Sequence, residues 1–189
     1  MELLKKKILE VGQVIDNRII KVGSFLNHQI DVELLNEIGK EFKARFGSEK
    51  ITKILTIEAS GIGIACITAQ YFKVPVLFAK KTEALNLDNE TYQSKVYSYT
   101  KEKVYEIRVA KKFLQPEDKV LIIDDFLANG NAVQGMLNLV KKAGAQAVGV
   151  GIVIEKSFQN GREKIARENV RLESLAIIKE LRDGQIIFA

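Results

Sequence analysis

The chain alternates between segments whose apolar residues recur at helical spacing and short runs that are continuously apolar. In one long segment the apolar positions lie three or four residues apart, at Leu34, Leu35, Ile38 and Phe42. Asp31 precedes this segment as a helix-capping residue, and Gly47 follows it as a stop. The pattern therefore predicts a helix over 32–46. The next segment, Ile51–Ile57, is rich in β-branched residues and predicts a strand.

The same two patterns continue along the chain. Further strands are predicted at Val74–Ala79, Val120–Ile123 and Ala147–Ile154. Helices are predicted between them, one that follows a loop at 58–63 and ends near Tyr71, and another over 131–141 that ends before Gly144. Alternating strands and helices are joined by right-handed crossovers. The order therefore predicts an α/β fold, with a mainly parallel sheet covered by helices on both faces.

Three further segments complete the expected elements. The N-terminal MELLKKKILEVGQVI mixes charges with short apolar steps, which is typical of an amphipathic helix rather than a signal peptide. Residues 82–100 are polar and show little periodicity, and they predict a long loop whose flanks are compatible with strands. At the C-terminus, Leu175–Leu181 and Gln185–Phe188 flank an Asp183-Gly184 pair that is typical of a hairpin turn.

Composition limits the classes of protein to which the chain can belong. Its 189 residues, 47% of them hydrophobic, predict a single domain over residues 1–189. Lys and Arg number 29 against 24 Asp and Glu, and the net charge of +5 favours anionic ligands. Because the basic residues are dispersed along the chain, nucleic acid is not predicted as a partner.

The counts of cysteine and histidine exclude two kinds of site. One cysteine, Cys66, cannot form an internal disulfide, and one histidine, His28, leaves too few ligands for a zinc site. We expect Cys66 to be a small buried hydrophobe and His28 a surface residue. No apolar run is long enough to span a membrane, so a cytoplasmic location without membrane contact is predicted.

The chemistry of the sequence is concentrated in KVLIIDDFLANGNA, where an apolar run ends in Asp124 and Asp125. A single Asp here could simply mark a strand end that enters a polar turn, but two adjacent acids are followed by a small loop at the start of a helix. Amides at a helix N-terminus favour a phosphate group, whereas neighbouring carboxylates repel phosphate and accept hydrogen bonds from hydroxyls. The combination predicts a site for a ribose 5-phosphate.

The motifs TIEASGIGIA, FAKK, SKVYSYT, IIDDFLANGNA and IEKSFQNGREK together resemble the type I phosphoribosyltransferases, and among them the bacterial xanthine phosphoribosyltransferases. The resemblance covers the whole chain. It implies a central, mainly parallel sheet flanked by helices, with a small hood formed by the N-terminal segment and the C-terminal hairpin. It also implies a cytoplasmic homodimer that makes XMP from xanthine and 5-phosphoribosyl-1-pyrophosphate (PRPP) in purine salvage.

The resemblance also implies which residues bind PRPP. The catalytic candidates Asp124 and Asp125 would meet the ribose hydroxyls. The 5-phosphate would be held by Ala128, Asn129, Gly130, Asn131 and Ala132, and the pyrophosphate by Ala59, Ser60, Gly61, Lys80 and Lys81. Relatives often carry Lys or Gln at position 131, so some phosphate affinity is expected to be lost here or moved elsewhere. Mg²⁺ would arrive with PRPP, without a metal site of the protein's own.

Two of these assignments have alternatives. The adjacent lysines Lys80 and Lys81 are equally typical of a solvated surface. The predicted loop over 82–100 would close over the reacting sugar, while its residues Tyr97 and Tyr99 are equally suited to a dimer interface.

For the base, Lys156 and Phe158 follow a predicted strand. An ammonium only donates hydrogen bonds, so Lys156 suits a 6-oxopurine and disfavours adenine, while Phe158 would either stack on the ring or lie in the core. The resemblance adds Ile20 and Asn27. An asparagine has both a donor and an acceptor for the 2-oxo edge of xanthine, although Asn27 is also typical of a turn or cap before Asp31.

Two other functions remain open from the sequence. A guanine/hypoxanthine phosphoribosyltransferase is the nearer one, because Lys156 would recognise either base. A non-catalytic regulator that senses PRPP is the second, although the chain carries no concentrated basic arm for DNA.

Overall fold

A computed structural model describes residues 1–81, 90–98 and 103–189. In this part of the chain the helices are α1 (Glu2–Val11), α2 (Val32–Phe46), α3 (Ser60–Phe72), α4 (Asn131–Lys142) and α5 (Gly161–Ala166), with a π-helical turn at Gly23–Asn27 and a 3₁₀ turn at Lys111–Phe113. The strands are β1 (Gln13–Ile15), β2 (Ile19–Lys21), β3 (Lys53–Ile57), β4 (Val76–Lys81), β5 (Thr91–Ser98), β6 (Lys103–Ala110), β7 (Lys119–Leu127), β8 (Gln146–Lys156), β9 (Arg171–Arg182) and β10 (Gln185–Phe188).

Eight of these strands form one sheet in the order β10-β9-β8-β7-β3-β4-β6-β5, and β1 and β2 form a separate hairpin. The five central strands, from β9 to β4, are parallel. The outer strands are antiparallel to their neighbours, including β10, which forms the expected C-terminal hairpin with β9. The mainly parallel sheet predicted from the sequence is confirmed.

Helices cover both faces of the sheet, because the buried strands present alternate residues to opposite sides. Ile54 of β3 and Leu121 of β7 belong to a core cluster shared with α1, α2 and α3. Their neighbours Leu55 and Ile122 belong to a second cluster, which α4 covers. The predicted α2 helix is confirmed over Val32–Phe46, and the Asp31 side chain caps it by accepting a hydrogen bond from the Leu34 amide at 3.1 Å.

Several predicted boundaries were wrong. β7 does not end at Ile123 but continues through the two acids to Leu127, because it stays paired with β8 as far as Leu127 and Glu155. Likewise α3 begins at Ser60, inside the predicted loop over 58–63. Residues 91–98 of the predicted long loop form β5, which pairs along its whole length with β6; residues 82–89 and 99–102, Tyr99 among them, lie outside the described residues.

The N-terminal segment and the C-terminal hairpin are in contact, as the expected hood requires. The α-amino group of Met1 donates a hydrogen bond to the Leu175 carbonyl at 2.6 Å, and the Lys5 ammonium lies 5.7 Å from the centre of the Phe188 ring. His28 is exposed as predicted, whereas Cys66 is also exposed, so the prediction of a buried Cys66 was wrong. Within the described ranges, no helix has the length and apolar character needed to cross a bilayer.

Candidate active site

Asp124 lies where three segments meet at the carboxyl edge of the sheet. Its side chain is buried, at 4% exposure, and its Oδ1 accepts a hydrogen bond from the Asp125 amide at 3.0 Å. A Cβ added to Gly61 at the start of α3 would lie 3.5 Å from this Oδ1 and only 2.0 Å from Oγ1 of Thr56. Glycine at position 61 is therefore what allows α3 to approach β3 and Asp124 this closely.

Burial and neighbouring charges together shift the pKa of Asp124. Burial, and secondly the charge of Asp125, raise the pKa of Asp124 well above its ordinary value, while the Lys81 ammonium acts in the opposite direction. The Lys81 ammonium also lies 5.4 Å from the centre of the Tyr105 ring. Burial and then the charge of Asp124 raise the pKa of Tyr105. Lys81, Tyr105 and Asp124 therefore interact electrostatically with one another.

Asp125 has a different environment from its neighbour. It is half-buried, and its Oδ1 accepts a hydrogen bond from the Phe126 amide at 3.0 Å. Residues Ala128–Ala132, named here the anion loop, follow directly. Gly130 has a φ of 74°, in the left-handed region that glycine adopts without strain, and α4 begins at the next residue. The loop thus presents the N-terminal amides and positive dipole end of α4, as the sequence predicted.

A short helix that the sequence did not indicate packs against the anion loop. A Cβ added to Gly161 of α5 would lie 2.3 Å from the Ala128 carbonyl oxygen, so the two backbones are in close contact. From the same helix, the Lys164 ammonium donates a hydrogen bond to Oδ1 of Asn131. The side-chain nitrogen Nδ2 of Asn131 in turn donates a hydrogen bond to the Tyr97 carbonyl of β5 at 2.9 Å. Asn131 therefore joins the anion loop to both α5 and β5.

The anion loop and Lys156 line one cavity of about 670 Å³, together with Arg18, Tyr105 and Phe126. The Lys156 ammonium donates to the Arg18 carbonyl at 3.2 Å and lies 5.6 Å from the centre of the Phe126 ring. Burial lowers the pKa of Lys156. A phosphate group at the loop and a planar ring near Lys156 would thus occupy the same cavity.

Sequence reasoning missed Phe126 and Tyr105, both of which line this cavity. For Phe126 a signal was available, because it follows the two acids directly and a strand that continued through them would carry it to the same edge. For Tyr105 there was none, because it reaches the site only through the pairing of β6 with β4.

Other predicted residues lie apart from this cavity. Ile20 and Asn27 line a second cavity of about 760 Å³ beneath the hood, and β2 separates the two, since Ile19 lines the first and Ile20 the second. Asn27 ends the π-helical turn, and the cap of α2 is Asp31 instead. Phe158 is 42% exposed, so it is not a core residue, and it is not among the residues that line either cavity.

The two lysines at the end of β4 also separate, as alternate residues of a strand do. Lys81 lies against Tyr105, which lines the cavity of Lys156, whereas Lys80 lies 6.0 Å from the centre of the Phe78 ring and lines a third cavity with Phe113. The structure therefore brings Lys81 into the site and leaves Lys80 outside it. Ala59 and Ser60 lie beside Gly61 at the start of α3.

An ion pair between a buried carboxylate and a partly exposed arginine fixes the end of β8. The Glu155 carboxylate, 1% exposed, accepts two hydrogen bonds from Arg162, at 2.7 and 2.5 Å, and one from the Ser174 hydroxyl. These contacts raise the pKa of Arg162. Arg162 belongs to α5, and Glu155 directly precedes Lys156 in β8. The pair therefore fixes the position of α5 relative to the backbone of Lys156.

The residues present are compatible with a magnesium ion that brings most of its own ligands. Across the described ranges, no cluster of three or more His, Cys, Asp or Glu side chains is found. Asp124 and Asp125 are hard oxygen ligands of the type that Mg²⁺ accepts, and one or two carboxylates suffice when phosphates and waters complete the shell.

Comparison with known proteins shows the family to which the chain belongs. The family model described as "Phosphoribosyl transferase domain" matches residues 24–177, which is most of the chain. A solved adenine phosphoribosyltransferase from Thermoanaerobacter pseudethanolicus superposes with a TM-score of 0.75 at 19% identity, covering 92% of this chain and 98% of that one. At this identity the likeness shows the fold alone. The chain belongs to the phosphoribosyltransferase family.

Several full-length relatives of high identity within that family are xanthine phosphoribosyltransferases. A xanthine phosphoribosyltransferase of Clostridium novyi (strain NT) is 63% identical over 188 residues, covering 100% of this chain and 99% of the relative. Another, from Alkaliphilus metalliredigens (strain QYMF), is 58% identical and covers 100% of this chain and 93% of the relative. The resemblance predicted from the sequence is confirmed.

Proposed function

We propose that this chain transfers the 5-phosphoribosyl group of PRPP to N9 of xanthine, giving XMP and pyrophosphate in purine salvage. The observation that carries the proposal is the single cavity that the anion loop and Lys156 share. Full-length relatives named xanthine phosphoribosyltransferase, at 57–63% identity, support the choice of reaction and base. The C1–O bond to pyrophosphate breaks, the C1–N9 bond forms, and the N9 proton leaves to solvent.

The sugar is held from two sides. The anion loop takes the 5-phosphate on the amides of Ala128–Ala132, where the dipole of α4 is positive. The half-buried Asp125 accepts hydrogen bonds from the ribose hydroxyls and supplies negative charge on the sugar side, where positive charge develops at C1. The buried Asp124 meets the same hydroxyls from the preceding position of the strand. Catalysis is mainly positional and electrostatic, and no covalent intermediate with the protein is needed.

The leaving group lies at the start of α3. Ala59, Ser60 and Gly61 present backbone amides at this helix N-terminus, and Lys81 adds a point charge beside Asp124. Mg²⁺, when bound with PRPP, neutralises charge on the pyrophosphate oxygens. Lys80 would join this set only through a change in the conformation of its side chain or of β4.

The base lies near Lys156, whose ammonium donates to the 6-oxo group of a purine and cannot accept from an amino group. Phe126, 5.6 Å from that ammonium, offers a ring for stacking. Ile20 and Asn27 line the cavity on the other side of β2 from Lys156, so they would contact the base only through a change in the position of β2. Phe158 lies at the exposed rim after β8.

Three further features belong to the proposal: dependence on Mg²⁺, a homodimer, and a cytoplasmic location. The family resemblance supports all three. Sedimentation velocity would test the dimer, and removal of Mg²⁺ with a chelator would test the metal by abolishing turnover.

The test of the reaction is a comparison of bases. The protein is mixed with PRPP, Mg²⁺ and, separately, xanthine, guanine, hypoxanthine or adenine, and initial rates of nucleotide formation are measured over a range of base concentrations. The highest kcat/KM is expected with xanthine. A preference for guanine or hypoxanthine would keep the chemistry and overturn the choice of base, and binding of PRPP without turnover of any base would favour a sensor.

A further inference from the structure

The anion loop, Ala128-Asn129-Gly130-Asn131-Ala132, contains no cationic side chain. A phosphate monoester near neutral pH carries a charge of roughly −1.5 to −2. The N-terminus of a helix offers only about +0.5 in return. The loop by itself therefore leaves most of the charge of a 5-phosphate without a partner, and a cation from another element is needed.

Lys164 on α5 meets this need. Its side chain is half-buried, and its ammonium is hydrogen-bonded to Oδ1 of Asn131, within the loop. Over the described ranges none of the ion pairs includes Lys164. An amide oxygen orients an ammonium group but does not neutralise it, so a full positive charge remains beside the loop.

The position of Lys164 is fixed by contacts on both sides. At the start of α5, Gly161 lies in backbone contact with Ala128 of the loop, and Arg162 is held by the buried Glu155. Beyond its end, Gln134 of α4 donates a hydrogen bond to Glu168 at 2.9 Å. The helix therefore cannot swing away from the loop without leaving the buried Glu155 carboxylate without its cation and breaking a close backbone contact.

We propose that Lys164 supplies the positive charge for the 5-phosphate in this chain, and that Asn131 holds the ammonium against the loop. The proposal rests on the proposed function, since it takes the bound anion to be the phosphate of a phosphoribosyl substrate. Asn131 has no charge of its own, so its role is to position the Lys164 ammonium. The hydrogen bond from its Nδ2 to the Tyr97 carbonyl fixes the side chain for this role.

The test compares Lys164→Gln with the native protein in two measurements. Calorimetric titration with ribose 5-phosphate, which contains no pyrophosphate or base, reports the phosphate site alone, and steady-state kinetics report KM for PRPP and for xanthine. Loss of a charge-assisted hydrogen bond predicts a Kd for ribose 5-phosphate and a KM for PRPP that rise about 10-fold or more. The KM for xanthine should change less than about 2-fold, a change too small to reflect a lost contact.

Two further variants separate charge from shape. Lys164→Arg keeps the charge and should retain most of the affinity, and Asn131→Lys in the Lys164→Gln background should restore part of it by placing a cation within the loop. Lys179→Gln is the matched control, because Lys179 is an exposed lysine of β9 outside the site. It should leave both measurements unchanged, which would exclude an effect of net charge alone.

The outcomes that would overturn the proposal are distinct from failure of the proposed function. Native binding of ribose 5-phosphate together with unchanged affinity in Lys164→Gln would overturn the role of Lys164 alone. Equal losses in Lys164→Gln and Lys164→Arg, or no rescue by Asn131→Lys, would show that packing rather than charge is lost. If the native protein bound neither ribose 5-phosphate nor PRPP, the proposed function and this inference would both fail.

Discussion

At the scale of single residues, two adjacent aspartates with the same chemistry have different environments. Asp124 is buried close to Gly61 at the start of α3, and Asp125 is half-buried. Successive side chains of a strand point to opposite faces, so the extension of β7 through both acids is what separates them. The sequence identified the pair, but the difference between its members depends on α3, which packs against only one of them.

Asp125→Asn is expected to lower kcat while leaving the fold intact. The amide side chain keeps the size of the carboxylate but loses its charge, and a hydrogen bond to a charged group contributes about 1.5–3 kcal/mol, or about 10- to 150-fold in rate. Initial rates at saturating PRPP and xanthine measure this loss, with circular dichroism to verify the fold. Glu117→Gln is the control, because Glu117 is an exposed acid that precedes the start of β7, whereas Asp125 lies near the other end of the strand. Unchanged kcat in Asp125→Asn would contradict the assignment.

Asp124→Asn is expected to raise Tm at pH 8. Because burial raises the pKa of Asp124 in the folded state, ionising it costs folding free energy. That cost is absent at acidic pH, where the group is protonated in both states, and grows as the pH rises from the unfolded-state pKa to the folded-state pKa. The asparagine side chain of the variant does not ionise, so the variant avoids this cost. Each 1 kcal/mol of added unfolding free energy corresponds to a rise in Tm of about 2–4 °C.

Thermal unfolding of the native protein and Asp124→Asn at pH 8 and pH 4 measures this difference. The gap between the two should shrink or vanish at pH 4. A constant gap at both values of pH, or a variant less stable at pH 8, would show that the carboxylate is not ionised at a cost in the fold.

At the scale of elements, the site depends on how closely α3 and α5 approach the strand ends. The sequence predicted α2 over its observed length, because its apolar spacing and its cap are local signals. It did not predict the length of β7 or the start of α3, because both are decided by partners distant in the sequence. It also did not predict that β2 divides Asn27 from Lys156, since the position of a two-stranded hairpin depends on the contact of the hood with the rest of the chain.

Gly61→Ala tests the close approach of α3. The added Cβ would lie 2.0 Å from the Thr56 hydroxyl, so β3 and α3 must move apart, and overpacking of this kind costs about 1–3 kcal/mol. Lower Tm and lower turnover are expected together. The double variant Gly61→Ala/Thr56→Ala removes the clashing hydroxyl, which has no hydrogen-bond partner in the described part of the chain, and should recover stability.

The double variant decides between two explanations. Recovery of Tm in Gly61→Ala/Thr56→Ala would assign the loss to the clash. If the double variant were no more stable than Gly61→Ala, the loss would not come from the clash with the Thr56 hydroxyl.

At the scale of the whole molecule, the site is assembled from segments that lie far apart in the sequence. Gly61, Lys81, Asp124 and Lys156 come from four regions of the chain, and parallel pairing brings their strand ends to one edge of the sheet. The excess of positive charge is dispersed over the molecule, with a net charge of +5. It therefore acts on an anionic substrate as a general field as well as through particular contacts.

This field predicts that PRPP binding depends on salt more than xanthine binding does. Raising NaCl from about 0.05 M to about 0.5 M shortens the screening length from more than 10 Å to less than 8 Å, which weakens attraction between the protein and a polyanion. The KM for PRPP should rise several-fold, while the KM for xanthine should change little. Steady-state kinetics at constant Mg²⁺ provide the measurement, and equal salt dependence for both substrates would contradict it.

The strand order also has a consequence for the chain during its synthesis. β7 lies between β3 and β8 in the sheet, and its pairing with β8 includes Asp124 and continues to Leu127. When the anion loop emerges from the ribosome during synthesis, β8 has not yet emerged. Until residues 146–156 follow, the nascent chain exposes an apolar strand edge, a known hazard for aggregation. A ligand of the anion loop therefore cannot stabilise this edge before most of the polypeptide has emerged.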